Sequence, residues 1–340
     1  MKIALDATYS LGKNLSGVGV YSREMMFGLA QAHPDSRFLF YYRTHRLLAS
    51  LRDSLPPNAS RRILRGAPCA DLFHALNQRV EAPARRTVVT FHDLFVMTGD
   101  YSSPEFRARF TAQARQAAER SDLMIAVSHF TASQIEALLH VERSRIRVIP
   151  HGVRMPVPGI SPERENIVLF VGAIQRRKNV ARLVRAFETM PAGWRLVLAG
   201  AADGWGAAEE LSAVEMSPRQ SDIDVRGYVT TAELESLYAR ARIFAFASLD
   251  EGFGMPVLEA MAHQLAVVTS RRSALPEVAG NAAVLVDPEN TEELGEALRT
   301  LAMDEDARAS LVRRGSARAA EFGWKDAVRK TWGVYQELGA

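Results

Sequence analysis

The chain contains a single cysteine, Cys69, among its 340 residues. One thiol cannot form an intrachain disulfide, and a zinc site built on cysteines needs several, so both are excluded. Long apolar runs are also missing, because none reaches the ~18–20 residues that a membrane-spanning helix needs. The first residues, Met1–Asp6, form a short strand pattern that ends in an acid and do not resemble a signal peptide. We therefore expect a cytoplasmic protein.

Lysine is scarce, with five lysines among the 42 basic residues, and charge is unevenly distributed along the chain. Residues 1–158 carry 21 lysines and arginines against 13 acids, whereas residues 159–340 carry 21 against 26. A basic first half attracts nucleic acid, an anionic membrane surface or an anionic substrate. Basic and aromatic residues do not interleave in any recognised nucleic-acid-binding motif, so we expect no nucleic acid partner.

The clearest basic face is predicted on a helix over residues 104–120, which carries Arg107, Arg109, Arg115 and Arg120. Two interpretations of this face stay open. It is either a solvated helix surface or a surface for peripheral association with the inner face of the cytoplasmic membrane.

Length and hydrophobic periodicity together predict two α/β domains. A chain of 340 residues exceeds what one hydrophobic core usually organises. Short apolar runs alternate with helical patterns in both halves, which is typical of doubly wound parallel sheets. The predicted strands are 3–7, 38–42, 72–76, 87–91, 123–127 and 147–149 in the first half, and 167–171, 196–199, 225–227, 243–247, 267–269 and 284–286 in the second.

Helical patterns fill most of the intervals between these strands. They cover residues 20–32, 106–118 and 132–139 in the first half, and 180–189, 234–241 and 257–263 in the second. Two helix starts have the spacing of a capping box, Thr230-x-x-Glu233 and Asn290-x-x-Glu293. Residues 151–159 are rich in proline and glycine and show no periodicity, so we predict the linker there.

The most informative segment places Glu251 and Glu259 eight positions apart around the turn Gly252–Met255. An apolar strand pattern precedes this turn, and Pro256 begins a helix pattern after it. Backbone N–H groups at the start of a helix have no intrahelical partner and face the positive end of the helix dipole, so they stabilise an anion. Carboxylates beside an anion site suggest a sugar nucleotide as the ligand.

An ordinary strand-to-helix turn with two surface glutamates is the alternative interpretation of a short glycine motif. The full run resembles the signature of retaining glycosyltransferases with the GT-B fold, in particular family 4. The resemblance implies two Rossmann-like, doubly wound parallel-sheet domains that face each other across a cleft. It also implies that Glu251 is catalytic, near the donor sugar, and that Glu259 binds the donor ribose. The donor diphosphate is expected on Gly252, Phe253, Gly254 and Met255.

Two motifs of the first half resemble the same family. Gly17, Gly19, Tyr21 and Glu24 match its G-x-G-x-Y-x-x-E loop, which implies that the two glycines lie over the donor diphosphate. Taken alone, a simple turn explains these glycines equally well. His92 matches a T-x-H-D-L form, which implies a catalytic histidine against the transferred sugar. A hydrogen-bonded structural histidine is the alternative.

The run Gly172–Asn179 resembles a segment common among mannosyltransferase-like members of the family. Residue 173 is alanine where other members carry arginine, so the arginine that binds phosphate is Arg176 or Arg177. We expect Arg177, because it adjoins Lys178, and the two side chains complement a diphosphate as a planar fork and a point charge. A solvated basic helix start would oppose the helix dipole unless an anion were bound.

Two further segments complete the resemblance. The segment expected to pair with the donor nucleobase is Gly227, Tyr228 and Val229. Aromatic residues at helical spacing near the end of the chain are similar to the family's final helix, which crosses back onto the first domain. The expected domains are therefore 1–155 for the acceptor, 156–320 for the nucleotide sugar and 321–340 for the final helix.

The resemblance implies a retaining, metal-independent hexosyltransferase without a cofactor. Its expected partners are a nucleotide-sugar donor, with GDP-mannose as our prediction, and a glycan or lipid-linked acceptor. Family donors also include UDP-glucose, UDP-N-acetylglucosamine and GDP-fucose, and the sequence does not choose among them. Two alternatives stay open: a sugar-nucleotide-binding protein of epimerase-like activity and a non-catalytic binding module of the same fold.

Overall fold

The computed structural model describes residues 1–12, 15–156 and 163–339. Part of the predicted linker, residues 157–159, lies outside these ranges. The chain divides into two compact units. Unit 1 is Met1–Gly152 together with Phe322–Ala340, and unit 2 is Val153–Glu321.

Unit 1 contains a seven-stranded sheet in the order β3-β2-β1-β4-β5-β6-β7, in which every pair of neighbours is parallel. The strands are β1 (Lys2–Asp6), β2 (Arg37–Tyr42), β3 (Ala59–Ile63), β4 (Leu72–Ala75), β5 (Thr87–Phe91), β6 (Leu123–Ala126) and β7 (Ile146–Val148). The strand order reverses between β1 and β4. In doubly wound sheets, ligands bind outside the carboxyl ends of the strands at such a reversal.

The helices of unit 1 that precede the linker are α1 (Gly17–Ala32), α2 (Thr44–Ser50), α3 (Phe95–Thr98), α4 (Pro104–Glu119) and α5 (His129–Leu139). The sequence patterns did not predict α2, α3 or β3. Strand β3 lies at the edge of the sheet and carries two arginines among five residues, so it lacks the apolar signature of the buried strands.

Unit 2 contains a six-stranded parallel sheet in the order β10-β9-β8-β11-β12-β13. Its strands are β8 (Ile167–Val171), β9 (Arg195–Ala199), β10 (Ile223–Gly227), β11 (Ile243–Phe246), β12 (Ala266–Ser270) and β13 (Val284–Val286). The central strands are continuous apolar runs because both faces of a parallel sheet are covered by helices. This order reproduces that of β3-β2-β1-β4-β5-β6, so both units are doubly wound.

The helices of unit 2 are α6 (Val180–Phe187), α7 (Ala207–Glu215), α8 (Thr231–Arg240), α9 (Met255–Ala262), α10 (Leu275–Ala279), α11 (Thr291–Met303) and α12 (Glu305–Ala320). The capping box at Thr230 and Glu233 is confirmed. The second one is only half formed. Asn290 caps α11, but the Glu293 carboxylate accepts from the Asp287 N–H and pairs with Arg271.

The last helix, α13 (Trp324–Glu337), belongs to unit 1 and packs on α1. The contact is close, since a Cβ added at Gly28 would lie 2.6 Å from Cγ2 of Val328. Val334 and Tyr335 join the same buried core as β1 and β2. Among the described helices, none combines the length and apolarity needed to cross a bilayer.

Candidate functional site

Two cations and one carboxylate meet at the carboxyl edge of the unit 2 sheet. Arg177 and Lys178 follow β8 in a short 3-10 turn, and Glu251 follows β11, the neighbouring strand. The Glu251 Oε1 atom lies 2.5 Å from Lys178 Nζ and 2.8 Å from an Arg177 guanidinium nitrogen. One carboxylate oxygen is thus shared by two cations.

The backbone around these side chains is tied to the end of β11. The Leu249 N–H donates to the Arg177 carbonyl at 2.8 Å. Asn179 adopts a left-handed conformation with φ 59° and donates its side-chain amide to the carbonyls of Ala247 and Pro288. Because Asn tolerates this conformation, Asn179 can end the 3-10 turn and α6 can begin at the next residue.

The cluster is buried, with about 8% of the Lys178 and Glu251 surfaces exposed. Burial raises the pKa of Glu251, but the charges of Arg177 and Lys178 and their hydrogen bonds outweigh it and bring that pKa to about 2. Glu251 is therefore ionised at neutral pH. The Lys178 ammonium also lies 4.6 Å from the centre of the Phe246 ring, which stabilises the cation. The cluster thus places two cations on one carboxylate.

The backbone of Glu251 is hydrogen-bonded to the turn after β12. Its N–H donates to the Ser273 hydroxyl at 2.9 Å, and its carbonyl accepts from the Ala274 N–H at 3.2 Å. Residues 273–278 were not predicted as part of the site. The structure shows that the turn after β12 positions the carboxylate.

The turn Gly252–Met255 leads directly into α9. Gly254 has φ 102°, a left-handed conformation that suits glycine, and it is the cap residue of the helix. A Cβ there would lie 2.6 Å from Cδ2 of Leu275. Gly254 has no side chain that would cap the first turn of α9, and the N–H groups of such a helix start can stabilise an anion.

Glu259 lies in the second turn of α9, and Tyr238 of α8 donates its hydroxyl to this carboxylate at 3.0 Å. Burial raises the pKa of Glu259, whereas the Tyr238 hydrogen bond lowers it. The Tyr238 ring stacks on His263 at 4.9 Å. Tyr238 was not predicted as a site residue, because in the sequence an aromatic residue at a helical position is indistinguishable from a core residue.

Gly227, Tyr228 and Val229 lie at the carboxyl end of β10, the edge strand of the same sheet. Half of the Tyr228 surface is exposed. The Gly227 carbonyl accepts from the N–H of Gly200, which follows β9 and has φ 159°. A Cβ at Gly200 would lie 1.9 Å from the Gly172 carbonyl oxygen, so this edge requires glycine. Gly200 was not predicted from the sequence.

His92 lies in unit 1 at the carboxyl end of β5 and is buried. Its Nε2–H donates to the Leu76 carbonyl at 2.9 Å, which leaves Nδ1 as an acceptor. That atom lies 3.3 Å from Nε2 of His151, so His151 is the donor. Burial lowers the pKa of His92 to about 4 and that of His151 well below its usual value. Both rings are neutral.

His151 corrects the linker prediction, because it belongs to the core of unit 1. Its ring stacks on His92 at 5.2 Å. Gly152 lies against α13, where a Cβ would be 2.4 Å from the Trp324 backbone nitrogen. The neighbouring glycine and prolines hid this role, since they are typical of a linker.

Gly17 and Gly19 lie in the first turn of α1 and not in a loop before it, which corrects the predicted helix start at residue 20. The Ser16 hydroxyl accepts from the Gly19 N–H at 3.3 Å and caps the helix three residues earlier than predicted. Tyr21, one turn further on, packs edge-on against His92 at 4.8 Å. The glycine segment and His92 therefore lie close together.

The basic face predicted on α4 is smaller than expected. Arg120 turns inward and donates to the carbonyls of Val80 and Glu81. Arg107 pairs with Asp100 at 3.1 Å. The exposed arginines that remain on this helix are Arg109 and Arg115.

Two protein-family models match the chain. Glycosyltransferase Family 4 matches residues 16–155, and Glycosyl transferases group 1 matches residues 156–318. The chain is 29% identical to the O-antigen chain mannosyltransferase B of Escherichia coli, over 99% of this chain and 100% of that protein.

Solved structures share the fold. A sucrose-phosphate synthase from Thermosynechococcus elongatus superposes with a TM-score of 0.80 at 20% identity, over 99% of both chains. HepE of Anabaena, solved in complex with UDP-glucose, has a TM-score of 0.77 at 17% identity, over 99% of this chain and all of that one. The fold and the two family matches show that the chain is a family 4 glycosyltransferase with the GT-B fold.

Proposed function

We propose that the protein transfers mannose from GDP-mannose to a hydroxyl of a glycan or lipid-linked acceptor, with retention of anomeric configuration and without a metal. The observation that carries the proposal is the buried cluster of Arg177, Lys178 and Glu251. Its two cations, beside the glycine-capped start of α9, suit the phosphate oxygens of a nucleoside diphosphate. The 29% identity to the O-antigen chain mannosyltransferase B of Escherichia coli, over 99% of this chain, supports mannose as the sugar.

Breaking the bond between the sugar and the diphosphate makes the sugar oxocarbenium-like and leaves negative charge on the departing phosphate. Arg177 and Lys178 stabilise that charge, a preorganised electrostatic effect worth roughly 3–4 kcal/mol per donor in comparable sites. These two cations provide the charge that a divalent metal would otherwise supply. We therefore expect transfer to continue in EDTA.

Glu251 acts as a hydrogen-bond acceptor for sugar hydroxyls and not as a general acid. With a pKa of about 2, its carboxylate holds no proton to donate at neutral pH. Diphosphate is already a good leaving group, so the reaction does not require such an acid. The acceptor hydroxyl attacks the same face that the leaving group departs from and gives its proton to the departing phosphate, which gives retention.

His92 lies against the transferred sugar in this proposal. Its neutral ring suits that position, because a cationic imidazolium would repel the positive charge that develops on the sugar. The Leu76 carbonyl and His151 fix the tautomer and the orientation of the ring.

A thermal-shift screen tests the donor. GDP-mannose, GDP-fucose, UDP-glucose and UDP-N-acetylglucosamine are compared at equal concentration, since a ligand at 100 times its Kd stabilises a fold by about 2.7 kcal/mol. We expect the largest shift with GDP-mannose. A larger shift with a UDP-sugar overturns the donor assignment, and no shift with any of the four overturns nucleotide-sugar binding.

Product analysis tests the transfer itself. The protein is incubated with GDP-mannose, EDTA and methyl α-mannoside as a minimal acceptor, and the anomeric proton of the new linkage is read by NMR. An α-linked product supports retention without a metal. A β-linked product contradicts retention, and donor binding without GDP release supports the non-catalytic alternative.

A surface on unit 1 supports membrane association for a lipid-linked acceptor. Leu48 and Leu51, in α2 and the turn after it, are 79% and 64% exposed, and the exposed arginines Arg46 and Arg52 flank them. Apolar side chains between arginines suit the interface of an anionic bilayer.

Vesicle flotation tests this surface. We expect binding to vesicles that contain phosphatidylglycerol and none to pure phosphatidylcholine. The double variant Leu48→Ser, Leu51→Ser weakens binding, whereas Met303→Ser, at an equally exposed position in unit 2, does not. Equal binding by both variants contradicts the assignment.

A further inference from the structure

A chain of hydrogen bonds runs through the core of unit 1, from its last helix to its first. The Tyr335 hydroxyl lies 2.6 Å from Nδ1 of His74, and Nε2 of His74 lies 2.8 Å from the Thr90 hydroxyl. The same Thr90 oxygen lies 2.9 Å from the Tyr21 hydroxyl. The four side chains are buried and come from α13, β4, β5 and α1, respectively.

This series of hydrogen bonds ends at Tyr21, beside the histidine pair His92 and His151. The Tyr21 ring is edge-on to His92 at 4.8 Å and to His151 at 5.0 Å. Thr90 lies in β5, two residues before His92, which follows the end of that strand. Tyr21 is therefore held at its hydroxyl by Thr90, while its ring forms a wall of the His92 site.

The proton positions follow from the chemistry of the members. Burial lowers the pKa of His74 to about 3, so its ring is neutral and has one N–H and one acceptor nitrogen. Tyr335 donates its hydroxyl proton to Nδ1 of His74, so Nε2 carries the ring proton and donates it to the Thr90 hydroxyl oxygen. The hydroxyls of Thr90 and Tyr21 form the last hydrogen bond of the series. Every ring nitrogen and hydroxyl oxygen in the series then has a partner within this chain of contacts, which matters because an unsatisfied buried polar group is costly.

We propose that Tyr335, His74 and Thr90 are positioning residues for the transferase reaction, which hold Tyr21 against His92 and His151. The inference rests on the proposed role of His92 beside the transferred sugar. Through Tyr335, the final helix α13 then contributes to catalysis as well as to packing.

An alternative explanation is that these residues only fill the core. The two explanations differ for Thr90, because serine keeps its hydroxyl and loses a methyl group, whereas valine keeps its shape and loses the hydroxyl. A packing role predicts that both variants keep the wild-type surroundings of His92 and His151, even though Thr90→Val lowers stability by leaving His74 and Tyr21 without a partner. The positioning role predicts that Thr90→Val changes those surroundings and that Thr90→Ser does not.

The first measurement needs no substrate. The protein is labelled with 15N-histidine, and the ring nitrogen signals of His92 and His151 are followed by NMR. We expect Thr90→Val to shift these signals and Thr90→Ser to leave them close to wild type. His74 contacts Thr90 directly, so a shift of the His74 signals is expected under either explanation. Unchanged His92 and His151 signals in Thr90→Val overturn the proposal, even if the protein proves to have no transferase activity.

The second measurement is the rate of GDP release from GDP-mannose with methyl α-mannoside as acceptor. We expect Thr90→Val to lower kcat about five- to tenfold, the effect of one buried hydrogen bond, with little change in donor KM. Equal kcat losses in Thr90→Val and Thr90→Ser contradict positioning. If wild type transfers nothing, the proposed function fails, and the NMR result alone decides positioning.

Tyr335→Phe tests the far end of the chain and replaces Thr90→Val if that variant does not fold. We expect it to shift the His92 and His151 signals in the same direction. The matched control is Tyr42→Phe, which removes a hydroxyl from an equally buried tyrosine of the same core but outside the hydrogen-bonded chain. Equal effects of the two variants overturn the proposal.

Discussion

The Glu251 Oε1 atom lies within 2.8 Å of nitrogens from both Lys178 and Arg177. Breaking a buried ion pair by removing one partner usually costs about 3–5 kcal/mol, because the remaining charge is left uncompensated. Here, removal of either cation leaves the carboxylate with the other one. The cluster therefore tolerates the loss of one cation better than an isolated pair does, and variants at Lys178 report on ligand binding.

Lys178→Met should weaken donor binding without unfolding the protein. A hydrogen bond to a charged group contributes about 1.5–3 kcal/mol, which corresponds to roughly ten- to a hundredfold in donor Kd. Isothermal titration with GDP and GDP-mannose measures the effect. Lys325→Met, at an exposed position of α13, serves as the control. Equal affinities for the two variants would remove Lys178 from the diphosphate site.

The buried histidines should make unit 1 sensitive to acid. His74 and His92 have pKa values of about 3 and 4 in the fold, against an ordinary value of 6.5. A lowered pKa means that the unfolded chain binds protons first, so the stabilisation is complete above pH 6.5 and is lost as the pH falls towards 4. Across that pH range, each of the two histidines lowers the free energy of unfolding by about 1.4 kcal/mol per pH unit.

Thermal unfolding between pH 7.5 and 4.5 measures this loss. We expect Tm to fall below pH 6.5, and the fall to be shallower in His92→Asn, because one titrating group is gone. A pH dependence of the same slope in that variant would show that His92 does not titrate as its burial predicts.

Gly254→Ala and Gly333→Ala should change stability in opposite directions. Alanine at residue 254 must adopt φ 102° and approach Leu275, and a left-handed conformation costs about 1–2 kcal/mol. Gly333 lies within α13 with no atom near its missing Cβ, so alanine there stabilises by about 0.5–1 kcal/mol. Urea unfolding compares the two. Tighter donor binding by Gly254→Ala would exclude this turn from the anion site.

Tyr238→Phe tests whether Glu259 is positioned by its neighbour. Loss of one hydrogen bond to a carboxylate lowers stability by about 1.5–3 kcal/mol and should raise donor KM several-fold. Glu259→Gln should raise KM as well, while the exposed control Glu292→Gln leaves it unchanged. A normal KM in Glu259→Gln would contradict the ribose assignment.

Much of the fold is predictable because buried parallel strands are continuous apolar runs. Strands β5, β8 and β13 have the predicted boundaries. Helices α7 and α12 were not predicted. Their exposed faces carry many charged residues, so the apolar stripe that identifies a helix is weak.

The site is predictable only in part. The run from Glu251 to Glu259 and the segment around Lys178 were each expected beside a diphosphate. Their mutual ion pair joins residues 73 positions apart, which only the strand order determines. The sequence around His151 does not predict its burial, because proline and glycine next to a buried histidine look the same as in a linker.

Unit 2 is one continuous stretch, Val153–Glu321, whereas unit 1 is assembled from segments on either side of it. During synthesis, the ribosome therefore delivers the whole of unit 2 before Tyr335 exists to meet His74. The part with the cation cluster can fold first, and the core around His92 waits for the last helix. A chain arrested before α13 would still present the cation cluster while its histidine pair lacked support.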